Sequence, residues 1–353
     1  MKTLIFNMES DIELSEEDEK KLREAGEIIK AGGLVAFPTE TVYGLGGDGL
    51  NPGSSKKIYA AKGRPSDNPL IIHIYRMEDL YKIASDVPSK ALKLAEAFWP
   101  GPLTMIFEKK DIVPFETTGG LNTVAVRMPD DDFARGLIKF GGGFIAAPSA
   151  NLSGKPSPTS ATYVLEDMEG RIDAVIDGGK ACIGLESTIV DMTVEPPMIL
   201  RPGFVTAEDL KEVIGDVTQD ATLMRCDVNQ APKAPGMKYR HYAPKGELTI
   251  VKGENEKVIQ YINENINKAR NKGEKTGVIA TAENIDRYDA HVVKCAGSRL
   301  QNKEVASNLY EILREFDDED VSVIYSEAFD EEGLGQAIMN RLLKAAGHRV
   351  VTL

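Results

Sequence analysis

The sequence predicts an α/β protein of two domains, a larger one built on a mixed sheet and a smaller one built on a parallel sheet. Three observations carry this. Short apolar runs of strand length alternate with amphipathic helical patterns along the chain. The 353 residues favour two cores over one. The stretch from Val217 to Lys245 loses its periodicity and carries Pro232, Pro235, Gly236 and Pro244, as a linker would.

The elements follow in order. Ser15-Glu16-Glu17-Asp18 opens a capped helix with Leu22, Ala25, Ile28 and Ile29 on its apolar face, closed at Gly32-Gly33. Leu34 to Phe37 is a short strand. Asn51-Pro52 caps a second helix that stops at Gly63, and Leu70 to Ile74 reads as a buried strand. Further strands are predicted at Leu103 to Phe107, Val124 to Met128, Phe144 to Ala147, Ala174 to Ile176, Thr188 to Val190 and Met198 to Leu200. Helical patterns cover Lys90 to Phe98, Asp131 to Phe140 and Ala207 to Ile214. The first domain thus takes residues 1–216, the linker 217–245 and the second domain 246–353. In the last, strands at Leu248 to Val251, Gly277 to Ala280, His291 to Val293 and Val321 to Tyr325 interleave with helices at Val258 to Lys272, Lys303 to Phe316 and Gly333 to Ala346.

Charge and cysteine usage narrow the function classes. Lys and Arg number 42 against 55 Asp and Glu, a net charge of −13, which argues against holding nucleic acid by bulk electrostatics. The balance is uneven: Gly33 to Pro129 has 11 basic and 10 acidic residues, so local basic ground is available for phosphates. Cys182, Cys226 and Cys295 are far apart and odd in number, giving neither a disulfide framework nor metal-ligand spacing. With no apolar run of about 18 residues and early acids at Glu9, Asp11 and Glu13, a cytoplasmic chain without membrane contact is expected.

Gly44-Leu45-Gly46-Gly47-Asp48-Gly49 matches G-x-G-x-x-G, but a dinucleotide fingerprint needs a helix that begins inside the loop. Asn51-Pro52 begins it too late, so these glycines are expected to turn the backbone tightly or let it approach a ligand. No G-x-x-x-x-G-K-[ST] loop is present, and any ATP site must be built another way. In Lys62-Gly63-Arg64, an extended backbone would set both cations on one side, pointing into a site and not the core, and Pro65 favours that form for Arg64. Ser149-Ala150-Asn151 likewise sets a hydroxyl and an amide on one side. Together these suit a triphosphate; a solvated cation pair and a plain Ser/Asn turn fit the same spacing.

Pro38-Thr39-Glu40-Thr41-Val42-Tyr43-Gly44-Leu45, Lys62-Gly63-Arg64-Pro65 with Asn68-Pro69-Leu70, Trp99-Pro100-Gly101-Pro102-Leu103-Thr104 and Ser149-Ala150-Asn151-Leu152-Ser153-Gly154 resemble the threonylcarbamoyl-AMP synthases with a YrdC-like domain. Glu186-Ser187-Thr188-Ile189-Val190-Asp191, Leu200-Arg201-Pro202-Gly203 and Pro235 to Pro244 extend the resemblance in order and spacing. The fold it implies is a YrdC-like twisted mixed-sheet α/β domain with a second, smaller Rossmann-like α/β domain, the family's long form. It implies that Thr41, Arg64, His73, Arg127 and Ser187 hold L-threonine, and that Lys62, Asn68, Thr123, Ser149, Asn151, Ser157, Arg201, His241 and Tyr242 hold ATP. Lys62 and Arg64 would be catalytic. Taken on their own, His73 between two isoleucines reads as a core histidine, Arg127 as a strand-end ion pair, and Thr123 and Ser157 as caps or turns.

The implied reaction joins ATP, carrying Mg2+, with L-threonine and bicarbonate to give threonylcarbamoyl-AMP, pyrophosphate and water, with no protein-bound metal. The receiving partner would be the tRNA threonylcarbamoyl transferase complex, with at most a weak contact to tRNA itself. His73 is the candidate base. Two other classes compete: a non-catalytic RNA-binding module, which the acidic net charge disfavours, and a carbamoyltransferase of the hydrogenase-maturation type, whose C-x-x-C zinc pairs are absent. Lys233 to Lys245 carries four bases and no acid alongside Tyr239, His241 and Tyr242, and Lys238 to Pro244 is expected to close over the nucleotide as a lid.

Overall fold

A computed structural model describes residues 2–8, 14–220 and 242–353. The chain separates into two compact units. Among the described residues the first comprises 2–153, Ser157–Cys182 and 186–220, and the second comprises Gly154–Pro156, Ile183–Leu185 and 242–353. The expected lid, apart from Tyr242 to Pro244, lies outside the described residues.

The first unit runs β1 (Leu4–Asn7), α1 (Glu16–Lys30), β2 (Val35–Phe37), β3 (Gly44–Asp48), α2 (Pro52–Lys62), β4 (Ile71–His73), α3 (Met77–Ile83), α4 (Ser89–Phe98), β5 (Leu103–Glu108), β6 (Thr123–Arg127), α5 (Asp132–Phe140), β7 (Ile145–Ala147), α6 (Ala161–Met168), β8 (Ala174–Asp177), β9 (Thr188–Asp191), β10 (Met198–Arg201), α7 (Ala207–Ile214) and β11 (Thr218–Gln219). Its eleven strands form one mixed sheet in the order β1-β8-β2-β3-β7-β4-β6-β5-β9-β10-β11. Capping chemistry sets the helix starts as expected: Ser15 and Asp18 form a capping box on α1, and the Asn51 side chain accepts from Gly53 N–H at 2.8 Å.

Two expectations are corrected. The glycines of Gly44 to Gly49 do not make a tight turn; Gly44–Asp48 is strand β3. Their reason is close packing, since a Cβ on Gly46 would stand 2.8 Å from Ile145 Cγ2 and 2.9 Å from Phe37 Cε1. Lys62-Gly63-Arg64 is not extended: α2 ends at Lys62 and Gly63 caps it in the left-handed conformation at φ 62°.

The central strands bury two different faces. Ile72, Val124, Val126, Leu103, Met105, Phe107 and Val190 enter the largest core with Leu80, Leu94 and Leu210 from α3, α4 and α7. By strand alternation the opposite face carries His73 and Ile71, Arg127, Ala125 and Thr123, Thr104 and Ile106, and Ile189. There Ile71, Ile106, Ala125, Ile189 and Leu200 form a small apolar floor.

The second unit continues with β12 (Glu247–Lys252), α8 (Asn255–Arg270), β13 (Thr276–Thr281), β14 (Val292–Gly297), α9 (Asn302–Asp318), β15 (Val323–Glu327), α10 (Leu334–Ala345) and β16 (Val350–Thr352). Its five strands are parallel, in the order β14-β13-β15-β12-β16. No helix among the described residues is long and apolar enough to cross a membrane.

Candidate active site

The face that carries the apolar floor also carries polar side chains, and strand register brings them together. His73 on β4 pairs with Arg127 on β6, and Thr104 on β5 pairs with the same Arg127. On β10 a register shift between Ile199 and Arg201 sets Arg201 opposite Ile189, which turns its guanidinium to this face. Ser187, just before β9, sits between the two groups. Its hydroxyl lies 2.7 Å from that of Thr104 and accepts from Arg201 Nη2 at 3.1 Å, while Arg201 Nε donates to the Ser187 carbonyl at 3.0 Å. Ser187, expected on the threonine side, and Arg201, expected on the nucleotide side, are therefore in direct contact.

Arg127 is an ion pair, as its residues alone suggest. Its Nη2 stands 2.7 Å from Glu40 Oε2, both side chains being buried, and its Nε donates to the Gly101 carbonyl at 3.3 Å. The pair is close but out of line for a hydrogen bond, and neither Glu40 oxygen accepts one within the described protein. Thr41 is fully buried beside it in chain order, its hydroxyl 2.8 Å from that of Thr39.

His73 Nδ1 faces the Ile71 carbonyl at 3.2 Å, so Nδ1 carries the proton and Nε2 is left to accept. Burial first and the nearby Arg127 charge second depress its pKa to about 3. The ring is neutral at physiological pH, and a base this weak suits hydrogen bonding better than proton abstraction. The sign for stability follows: above the ordinary value of 6.5 the contribution is complete, and it is lost as pH falls from 6.5 towards 3, because only the unfolded chain takes up the proton. His73→Gln is expected to flatten that part of the acid-denaturation curve, measured as urea midpoints between pH 7 and pH 4; an unaltered slope would show that another group sets it.

A second cluster surrounds the end of α2. Lys62 is buried, 2% exposed. Its ammonium donates to the carbonyls of Ser149 and, at 2.5 Å, Asn151. Ser149 Oγ donates to Asn151 Oδ1 at 2.6 Å, so the two side chains do share a side. Arg64 donates to the Asn68 and Pro69 carbonyls at 3.3 and 3.1 Å, and the buried Asn68 Oδ1 has no hydrogen-bond partner in the described protein. Ser157 donates to Glu186 Oε1 at 2.6 Å. Thr123 begins β6, half-buried, paired with Glu108. Tyr242 belongs to the second unit, where its ring packs on Tyr310 at 5.1 Å, and His241 lies outside the described residues.

Sequence reasoning gave no role to Glu40 and Thr104, and named Glu186 only within the Glu186-Ser187-Thr188 turn expected to contact the amino acid. Each had a signal: acids inside apolar motifs at Glu40 and Glu186, and a hydroxyl within the strand run at Thr104.

Known proteins match both parts of the chain. A family described as "Telomere recombination" (Sua5_yciO_yrdC) matches residues 27–203, and one described as "Threonylcarbamoyl-AMP synthase, C-terminal domain" matches residues 205–347. The threonylcarbamoyl-AMP synthase of Pyrococcus abyssi is 49% identical over 349 residues, 99% of each chain. That of Bacillus subtilis is 46% identical over 352 residues, covering 99% of this chain and 100% of its own. The crystal structure of P. abyssi Sua5 complexed with L-threonine superposes with a TM-score of 0.93 at 48% identity, covering 99% of this chain and all of that one. A strand-borne face carrying His73, Arg127, Thr104 and Arg201, joined to matches that run the length of both units, places this chain in the threonylcarbamoyl-AMP synthase family.

Proposed function

We propose that the chain converts L-threonine, bicarbonate and ATP, the last as its magnesium complex, into threonylcarbamoyl-AMP and pyrophosphate on the polar face of β4, β6, β5 and β9. The observation that carries this is a pair of buried polar groups whose hydrogen-bonding capacity the described protein leaves unused, Glu40, which faces the buried Arg127 guanidinium, and Asn68 Oδ1. Such groups cost stability and are kept where a ligand completes them. The L-threonine seen in P. abyssi Sua5 supports the choice of ligand.

In this reading Thr41, His73, Arg127 and Ser187 orient the amino acid, with the neutral His73 Nε2 accepting a hydrogen bond. Bicarbonate carboxylates the uncharged amine: the nitrogen bonds to the bicarbonate carbon, and one bicarbonate oxygen leaves as water with a proton from the amine. The carbamate oxygen then forms a bond to the α-phosphorus as the bond to pyrophosphate breaks, and Lys62, Arg64 and Arg201 stabilise the charge that gathers on the phosphoryl oxygens and leaving group. Asn68, Thr123, Ser149, Asn151 and Ser157 position the nucleotide. The mixed anhydride is short-lived in water, so its consumer is a transferase that attaches the threonylcarbamoyl group to tRNA, in the cytoplasm.

The test is ATP-dependent pyrophosphate release together with incorporation of labelled bicarbonate. Both should require threonine; release without threonine or bicarbonate would sink the assignment, and dependence on carbamoyl phosphate would favour a carbamoyltransferase. Ser187→Ala is expected to raise the threonine KM by about tenfold and the ATP KM by less, since Ser187 also holds Arg201. Equal increases would mean that Ser187 does not belong to the amino-acid half.

A further inference from the structure

The second unit contains a cavity of its own, about 550 Å3, at the carboxyl ends of its parallel strands. Topology explains why it is there. The chain leaves β12 through α8 towards β13 on one side, and leaves the neighbouring strand β15 through α10 towards β16 on the other. Right-handed crossovers in opposite directions put the two helices on opposite faces, which opens a crevice between adjacent strand ends. The cavity is lined by the turns that follow β12 and β15, at Lys252 to Asn255 and at Ala328 to Asp330.

Its floor is a fixed polar network. The Glu327 carboxylate, fully buried at the end of β15, accepts from Thr281 N–H and hydroxyl, both at 3.1 Å, and from Asn284 Nδ2 at 3.0 Å, and it pairs with Arg299. Asn284 donates to Asn255 Oδ1 at 2.7 Å and accepts from Asn255 Nδ2 at 3.3 Å. Asn255, Asn284 and Arg299, all lining the cavity, are thereby held in place. Lys252 stands at the rim, 2.8 Å from Glu331, both half-exposed. Helices α8 and α9 begin at the cavity, and neither Glu254 nor Gln301 caps its helix with a side-chain hydrogen bond. Val258 and Phe329 add an apolar wall.

The carboxylates at the cavity are largely engaged. Glu283 accepts from Ser298 Oγ at 2.6 Å and from Arg299 N–H, and Asp330 accepts from the N–H groups of Glu331 and Glu332 at 2.7 and 3.3 Å. Glu283 follows the second strand of the domain, the position from which an acid meets ribose hydroxyls in open α/β sheets. We propose that this crevice binds a nucleoside monophosphate, with the phosphate between Lys252 and the start of α8, the ribose towards Glu283, and the base against Val258 and Phe329. The cavity is of the size that small-molecule sites have.

The experiment follows backbone amide resonances of the full chain during titration with AMP, inorganic phosphate and adenosine. AMP should shift Gly253, Asn255 and Ala328 saturably, phosphate should shift the same amides more weakly, and adenosine should leave them unmoved. Lys252→Glu, and Lys252→Ala as a milder change at this exposed rim, should weaken AMP binding there by about tenfold. Amides of the first unit report nucleotide on the catalytic face separately. No saturable shift of the three amides up to about 10 mM AMP, equal responses to adenosine and AMP, or indifference to both Lys252 variants would overturn the proposal.

Discussion

Lys62→Ala is expected to lower threonine-dependent pyrophosphate release by about 10²- to 10³-fold, the largest effect of any single substitution in the site. The ammonium does two things. In the proposed reaction it faces the negative charge that gathers on the nucleotide phosphates, and removal of such a donor typically raises a barrier by about 2.7 to 4 kcal/mol. It also bridges the carbonyls of Ser149 and Asn151, whose side chains share the site. Loss of that bridge leaves a buried acceptor at Asn151 and a half-buried one at Ser149 without this donor, at a cost of about 1 to 3 kcal/mol in stability. Both effects should appear together: a fall in kcat, and a lower urea midpoint that ATP partly restores. Activity within about threefold of the unchanged chain would remove Lys62 from the chemistry.

Arg127→Ala is the change expected to cost most in stability, about 3 to 5 kcal/mol, because it strands the Glu40 carboxylate in a buried position with no compensating charge. Glu40→Gln should cost less, since a neutral amide replaces the acid. A double-mutant cycle separates the terms: the Arg127→Ala, Glu40→Gln chain should recover part of the loss seen with Arg127→Ala alone. Additive losses would show that the two side chains act independently. Threonine saturation should stabilise the unchanged chain and not the Arg127→Ala chain, which ties the pair to ligand binding through linkage.

Local rules determined much of this protein. The capping boxes, the proline-led start of α2 and the alternation of apolar runs are decided within a few residues, so Ala207–Ile214 and most strands fall where the sequence places them. Short, exposed elements were not legible in the same way. β1, with Leu4 and Ile5 half-exposed at the sheet edge, is held by its pairing with β8, some 170 residues away, and β16 by its pairing with β12. Motif spacing and the family resemblance it carries named candidate residues, but not what each touches. Only the tertiary structure pairs Glu40 with Arg127, turns Arg201 to the site face through a bulge and buries Lys62 among carbonyls. The physical reason is range: periodicity and caps report interactions between neighbours in the chain, whereas charge pairing, desolvation and sheet register join segments that the sequence leaves far apart.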